Sequence, residues 1–439
     1  MNWTLDEVEK KFLAYMEEHG HTLIEGHSVM SPTDDVLFTT AGMHPLTPYL
    51  LGQQHPGGRR LCDVQRCVRT TDIDEVGDNR HRTIFEMVGN WSLGDYFKET
   101  AIPQSMGLLT GVFGIDPEKL YVTVFAGLPQ PGLVRDDEAV ALWEQCFADL
   151  GVDPTGHINP LTDNWWSNGP IGLCGPDTEM FVYVGKDADP TFADTAEFVE
   201  IWNNVFMTYD RGADGSLTEL AQRNIDTGMG AERTELFLNG RETVWQTPEL
   251  AALLDVVGST LGVADADLDD DQTRSQRIVA DHLRAGLAIA AAGVYPSANH
   301  QGYVLRRLIR RAVREAELLT GTEDGLGDKL HAATEGIAEV QGRRWSDLTG
   351  ESGEHAREVI DKEVTKFAKA LRHGLDELHR DADAGKVFDG DLAFHAADTL
   401  GYPAELALEE ATRTGMTIDP AWQDRYDQLR EEQRVRSRG

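Results

Sequence analysis

Cysteine is scarce in this chain: four in 439 residues, at Cys62, Cys67, Cys146 and Cys174. None forms a CxxC pair or joins a histidine cluster, which argues against a disulfide framework and against structural zinc. They are expected to be buried thiols. No apolar run approaches the ~20 residues that a bilayer span requires. The opening residues, MNWTLDEVEKKF, are acidic and amphipathic where a secretory signal would be basic and then apolar. A cytoplasmic protein with no membrane partner is therefore expected. Lysine is sparse too, 10 against 30 arginines, and the 40 basic residues face 75 acidic ones. A net charge of −35 repels nucleic acid unless the basic residues are gathered in one place, and DNA is not an expected partner. The surplus of Arg and Asp suits either a GC-rich genome or a salt-adapted cytoplasm.

What is present is apolar material, 41% of residues, in a chain nearly three times the ~150-residue domain mode, so two domains are expected. Leu5, Val8, Phe12, Tyr15 and Met16 share a helical face that ends near Gly20, and a strand is expected from Thr22 to Met30, stopped at Ser31-Pro32. Further strands are read at Tyr121–Phe125, Phe181–Gly185 and Val199–Met207. After Gly240 the pattern turns helical, over Thr247–Gly262, Gln276–Gly293, Tyr303–Thr320, His355–His379 and Ala421–Arg438. The fold class is α+β: an antiparallel sheet flanked by helices over 1–240, then an all-α domain over 241–439. The acidic stretch Asp265–Asp271 reads as a solvated loop.

Two segments carry candidate chemistry. RTTDIDEVGDNRHRTIF, Arg69 to Phe85, reads as an antiparallel hairpin that presents one guanidinium, a cationic cluster (Arg80, His81, Arg82) and an aromatic ring. That set suits a nucleotide, since arginine grips phosphate oxygens through a planar fork and an aromatic face stacks on a base. DTGMGAER, Asp226 to Arg233, places alternating glycines where a strand turns into a helix, so that a ligand can approach the backbone. Taken alone, the first is a hairpin with surface arginines and the second a tight turn in which Asp226 caps a helix.

Together these segments resemble motifs 2 and 3 of the class II aminoacyl-tRNA synthetases. VLFTTAGM (36–43), QRCVR (65–69), FEMVGNWSLGDYFK (85–98), GPDTEMF (175–181), EIWNNVFM (200–207), DTGMGAER (226–233) and GYVLRRLIRRA (302–312) resemble the alanyl-tRNA synthetase family in family order, over essentially the whole chain. The resemblance implies ATP and Mg2+ as cofactors, alanine as substrate and a tRNA acceptor stem as partner. It implies that Arg69 holds the α-phosphate, that Phe85 and Arg233 sandwich adenine, and that Arg80 or His81 approaches the γ-phosphate. Met87, Gly228 and Gly230 would complete the nucleotide site. Glu200 would hold magnesium, with Asn203 nearby in the alanine site; Asp226 would pair with the alanine ammonium, Trp166 wall the pocket and Val205 crowd the methyl group. Arg69 and Arg233 would be the catalytic pair, and no side-chain nucleophile is needed, because the amino acid's own carboxylate attacks. Trp166 and Val205 also read as core residues, and Glu200 as an exposed strand carboxylate.

The gathered basic residues are found in YVLRRLIRRAVREAELL. There Arg306, Arg307, Arg310, Arg311 and Arg314 recur at helical spacing opposite an apolar stripe, the pattern of a strip that contacts successive phosphates. The alternative is a face neutralised by neighbouring acids. By the resemblance, the helical domain reads the acceptor stem, with Asp398 reading the G·U pair. The asparagine partner is displaced: Ala298 stands in its place, with Asn299 the nearest substitute and Gln301 where the family has arginine. The hairpin loop lacks the family's lysine, Thr71-Asp72 standing there. The family continues into an editing and then an oligomerising domain, so this chain is expected to be a shortened form or a stand-alone paralogue. The second would pass alanine from the adenylate to another acceptor, a small molecule or carrier protein.

Overall fold

The computed structural model describes residues 3–32, 36–130, 132–187, 190–193, 197–263, 268–322 and 324–436. They fall into two compact units, one of residues 1–69 with 84–248 and one of 70–83 with 249–439. The division expected at 240/241 thus lies eight residues early. It also misassigns 70–83, whose hydrogen bonds run to the helices of the second unit.

The first unit is a nine-stranded sheet with all but its shortest helix packed on one face. Its strands are β1 (Thr22–Leu23), β2 (Arg60–Val68), β3 (Ile84–Leu93), β4 (Leu120–Phe125), β5 (Ile158–Leu161), β6 (Trp165–Ser167), β7 (Gly172–Tyr183), β8 (Phe198–Arg211) and β9 (Leu217–Gly230). The order is β1-β2-β3-β9-β8-β7-β4-β5, with β6 added to β7. The pairs around β3, β9, β8 and β7 are antiparallel; β1·β2 and β4·β5 at the margins are parallel. The helices are α1 (Leu5–Glu18), α2 (Thr47–Leu50), α3 (Lys98–Met106), α4 (Asp137–Asp149) and α5 (Ala231–Leu238).

Helix α1 starts where Thr4 and Glu7 form a reciprocal capping box, and it buries Leu5, Val8, Phe12 and Met16. These join Val88, Met180, Val182, Trp202, Phe206, Ile225 and Met229 from the sheet and Trp143 and Phe147 from α4 in the main core. Strand residues pointing the other way are left to form a second face. The strand expected over Thr22–Met30 is only two residues long. At Gly26 a Cβ would lie 2.3 Å from the Val64 carbonyl oxygen, and beyond it the Gln65 side chain, in place of a strand ladder, takes the amide and carbonyl of His27.

The second unit holds α6 (Pro248–Leu261), α7 (Asp270–Ala291), α8 (His300–Thr320), α9 (Leu326–Gly342), α10 (Gly350–Asp383), α11 (Gly390–His395), α12 (Ala404–Arg413) and α13 (Trp422–Arg436). One parallel pair, β10 (Val387–Phe388) with β11 (Thr417–Ile418), interrupts the helices. Of the acidic stretch, 265–267 lies outside the described residues, and Asp269 caps α7 through the Gln272 amide. The expected last helix stops at Arg436, the final described residue.

Candidate functional site

The sheet's second face gathers most of the sequence candidates of the first unit. Asp226 on β9 lies directly opposite Trp91 on β3 and Val205 on β8, and Val205 lies opposite Asp177 on β7. Directly opposed residues of antiparallel strands point to the same side, so these four share a face. Trp91 and Val205 pack with Met43, Leu46, Leu173 and Met207, and Trp166 of β6 packs against that cluster half-buried.

Asp226 is 6% exposed, and its Oδ1 accepts a 2.7 Å hydrogen bond from the Trp91 indole N–H. Burial pushes its carboxyl up to about 7, and the indole bond pulls the other way. The helix-cap alternative is excluded: Asp226 is mid-strand, and the N-cap of α5 is Gly230, with no side-chain cap. A second buried carboxyl, Asp63 on β2, is raised by its own burial and by Asp226, and its Oδ1 has no hydrogen-bond partner. Asp177 is raised chiefly by burial and then by Glu179, against side-chain hydrogen bonds with Asn203 and Asn164, and its Oδ1 is unpartnered.

Along the same strands lies the group assigned to a nucleotide. The Arg69 guanidinium carbon sits 5.0 Å from the centroid of the Phe85 ring, and its Nε donates to the Thr40 carbonyl at 3.3 Å. Phe85 packs with Cys67 and Met87. A Cβ at Gly228 would meet Met87 Sδ at 2.8 Å, so glycine at 228 makes room for that side chain; Gly230, at φ −68° with only Arg233 Cβ near, has no such constraint. Arg233 Nη1 lies 3.1 Å from Glu200 Oε2 and donates to the Glu200 carbonyl at 3.3 Å.

Asn203 faces Gly228 on one side and Glu179 on the other, and its Oδ1 is unpartnered. Burial and then the neighbouring Glu200 carboxylate push Glu179 up to about 7. Two carboxylates that repel each other in this way suit a hard cation that completes its shell with phosphate and water. Among the described residues, no group of three or more His, Cys, Asp or Glu could enclose a metal by itself.

Arg80 and His81 lie on the loop 70–83, in the other unit. His81 Nδ1 is 2.6 Å from Asp78 Oδ2 and its Nε2 is 3.1 Å from Glu75 Oε2, so the ring is held between two acids. Gly77 permits the turn: its φ is +110°, and a Cβ there would stand 2.5 Å from Arg274 Cγ.

The arginine strip on α8 is not an open cationic face. Arg310, Arg311 and Arg314 are 8%, 2% and 4% exposed. Arg310 pairs with Glu363 at 2.6 Å and donates to the Gly401 carbonyl at 2.8 Å. Arg311 donates to the Ile73 carbonyl at 2.6 Å and sits 3.3 Å from Glu409; Arg314 pairs with Glu317 and Glu410. Arg307 binds Asp74 at 2.6 Å, and Arg306 lies 6.0 Å over the Tyr303 ring. The phosphate assignment of Arg310, Arg311 and Arg314 is therefore corrected. Helix α8 is buried on its apolar stripe and on much of its charged face, because acids distant in sequence fold against the arginines.

Asn299 and Asp398 are exposed. Asn299 precedes α8, next to His300, which holds φ 51°, a positive value otherwise confined to glycine among the described residues. Ala298 and Asn299 line a cavity of about 640 Å³ with Asp427, Arg430, Glu431, Gln433 and Arg434 of α13. Gln433 donates to Asp398 Oδ1.

Trp91, Asp63 and Asp177 were not singled out from the sequence. Trp91 had a signal: Phe85, Met87 and Trp91 fall at even spacing on one strand, hence on one face. Asp63 is the lone acid of β2 and Asp177 shares β7 with Glu179, and only the register brings them beside Asp226 and Val205.

A family model described as tRNA synthetases class II (A) matches residues 7–439. The alanine–tRNA ligase of Borrelia hermsii is 42% identical over 431 residues, which cover 95% of this chain and 70% of that protein. The alanine–tRNA ligase of Treponema pallidum is 41% identical over 432 residues, with coverage of 95% and 69%. That of Thermobifida fusca is 38% identical over 457 residues, covering 98% of this chain and 48% of that one.

Proposed function

The chain belongs to the tRNA synthetases class II (A), the family of the alanine–tRNA ligases, and on that footing we propose that it activates alanine with ATP and charges a tRNA. The alanine carboxylate attacks the α-phosphorus, alanyl-adenylate forms and pyrophosphate leaves. The terminal ribose hydroxyl of the tRNA then attacks the carbonyl carbon, and AMP leaves. The observation that carries this reading is Asp226, a buried carboxylate with one oxygen fixed by Trp91 and Val205 alongside. Its other oxygen is the ammonium acceptor, and Val205 and Trp166 confine the methyl group.

Arg69 moves from the Phe85 ring to the α-phosphate, which frees the ring for adenine, while Arg233 covers the opposite side of the base. Met87 and the bare Gly228 backbone shape the floor beneath the nucleotide. Glu200, with Glu179 beside it, would hold Mg2+, which offsets charge on the departing pyrophosphate when bound. Arg80 and His81 are assigned to the γ-phosphate, and Asn299 and Asp398 to the acceptor stem. Of the α8 arginines, the half-buried Arg306 and Arg307 are assigned to its phosphates. The cytoplasm, where ATP and tRNA meet, is the expected compartment; among the described residues no helix is long and apolar enough to cross a membrane.

Alanine-dependent ATP–pyrophosphate exchange, run beside tRNA charging, tests both halves. Exchange with charging is the expected result. Exchange without charging moves the acceptor to another molecule, and the absence of both removes the reading.

A further inference from the structure

The alanine reading uses one buried carboxylate, and the sheet supplies another at the far side of Val205. Asp177 is 4% exposed, directly opposite Val205, on the face that carries Asp226 and the Trp166 cluster. Strand spacing puts the Asp177 and Asp226 backbones ~10 Å apart, with Val205 between. A carboxylate oxygen buried without a partner costs free energy that an apolar side chain would avoid. Asp177 Oδ1 is in that position, and so is Asn203 Oδ1 two residues before Val205.

Resting on the activation reading above, we propose that Asp177 is a specificity-determining residue, and that the pocket favours a small α-amino acid carrying a hydrogen-bond donor on its β-carbon. The α-ammonium would bind Asp226 and the β-substituent, a hydroxyl or a second ammonium, would bind Asp177 Oδ1. Two hydrogen bonds plus the separation of the donor atoms in such a molecule span roughly 9 Å, which matches the gap between the two strands. Asn203 and Asn164 hydrogen-bond the Asp177 carboxyl, and alanine offers no donor to the oxygen that stays unpartnered, Oδ1.

The test is pyrophosphate exchange by the full chain with alanine, serine, 2,3-diaminopropionate and 2-aminobutyrate, the last matching the others in size without a donor. At least one donor-bearing amino acid is expected to exceed 2-aminobutyrate tenfold or more in kcat/KM. Asp177→Leu should collapse that ratio. Asp177→Asn should remove a preference for diaminopropionate while sparing one for serine, which separates the two sources of the donor. Each ratio is taken within one preparation, so a general loss of folded protein divides out; if Asp177→Leu fails to fold, the Asn variant carries the comparison. Exchange with alanine but no preference over 2-aminobutyrate overturns the inference and leaves the activation reading intact. So does a preference that neither variant alters. No exchange with any of the four overturns both.

Discussion

Replacing Asp226 with Asn should make the protein more stable and nearly inactive, and the structure sets the size of both effects. Burial moves this carboxyl from 3.8 to about 7. Between those values the native state holds a proton that the unfolded chain has released, so stability falls as pH rises from about 4 to about 7 and is flat above. About three pKa units at 1.36 kcal/mol each give ~4 kcal/mol of destabilisation at pH 8. Asn removes that term and can still accept from Trp91, but its buried amide N–H group costs ~1–3 kcal/mol if unpaired. A net gain of ~1–3 kcal/mol at pH 8 is expected, shrinking toward pH 5, read as the melting temperature against pH. Activation should move oppositely. Losing the partner of a buried ammonium costs ~2–5 kcal/mol, roughly thirtyfold to several-thousandfold in kcat/KM for alanine exchange. In the unmodified protein the alanine KM should fall as pH rises from 6 toward 7.5, because only ionised Asp226 pairs with an ammonium. Exchange within threefold of the parent, together with a flat KM between pH 6 and 8, would refute the assignment.

Trp91→Phe deletes the indole donor that lowers the Asp226 pKa, so the rise of alanine exchange with pH should shift to higher pH; an unmoved profile counts against the pairing. Gly228→Ala sets a Cβ 2.8 Å from Met87 Sδ, displacing that side chain, and should raise the KM for ATP in exchange assays. Arg310→Ala strands Glu363 in the helical unit and should cost ~3–5 kcal/mol, visible as an earlier melting transition. If it instead leaves melting unchanged and flattens the salt dependence of tRNA binding, Arg310 is a phosphate contact after all.

The parts of the molecule that were legible in the sequence are those with local signals. The hairpin β2–β3 announces itself by apolar strands around a polar loop with Gly77, and α8 by its apolar stripe. Asp226 and Gly228 stood out through their motif, but the cap alternative for Asp226 fell only when β9 was seen to run on to Gly230. The exposure of α8's arginines was misread because helical periodicity reports which side chains share a face, and says nothing of what packs on it. Glu363, Glu409 and Glu410, which neutralise them, lie 53 or more residues along the chain. Asp63 and Asp177 were not picked out for the same reason: an acid within a strand acquires meaning from its neighbour across the ladder.

The corrected arginines have another role, seen in what they hold. Segment 70–83 leaves the sheet at Arg69 and returns to it at Ile84, yet its backbone is fixed from the helical unit. Arg311 donates to the Ile73 carbonyl, Arg274 to that of Asp74 at 3.3 Å and Arg277 to that of Gly77 at 3.0 Å. The Asp281 carboxylate accepts from the Thr83 amide at 2.9 Å, and Arg307 takes the Asp74 side chain. Bonds to main-chain carbonyls fix the path of a loop whatever its side chains are. They also satisfy backbone groups that a turn rich in charged residues would otherwise leave to water. The arginines of α7 and α8 thus fix the backbone of the loop that carries Arg80 and His81. Loss of Arg311 should therefore register in the stability of the helical unit as an earlier melting transition, whereas loss of a phosphate contact on tRNA would leave melting unchanged.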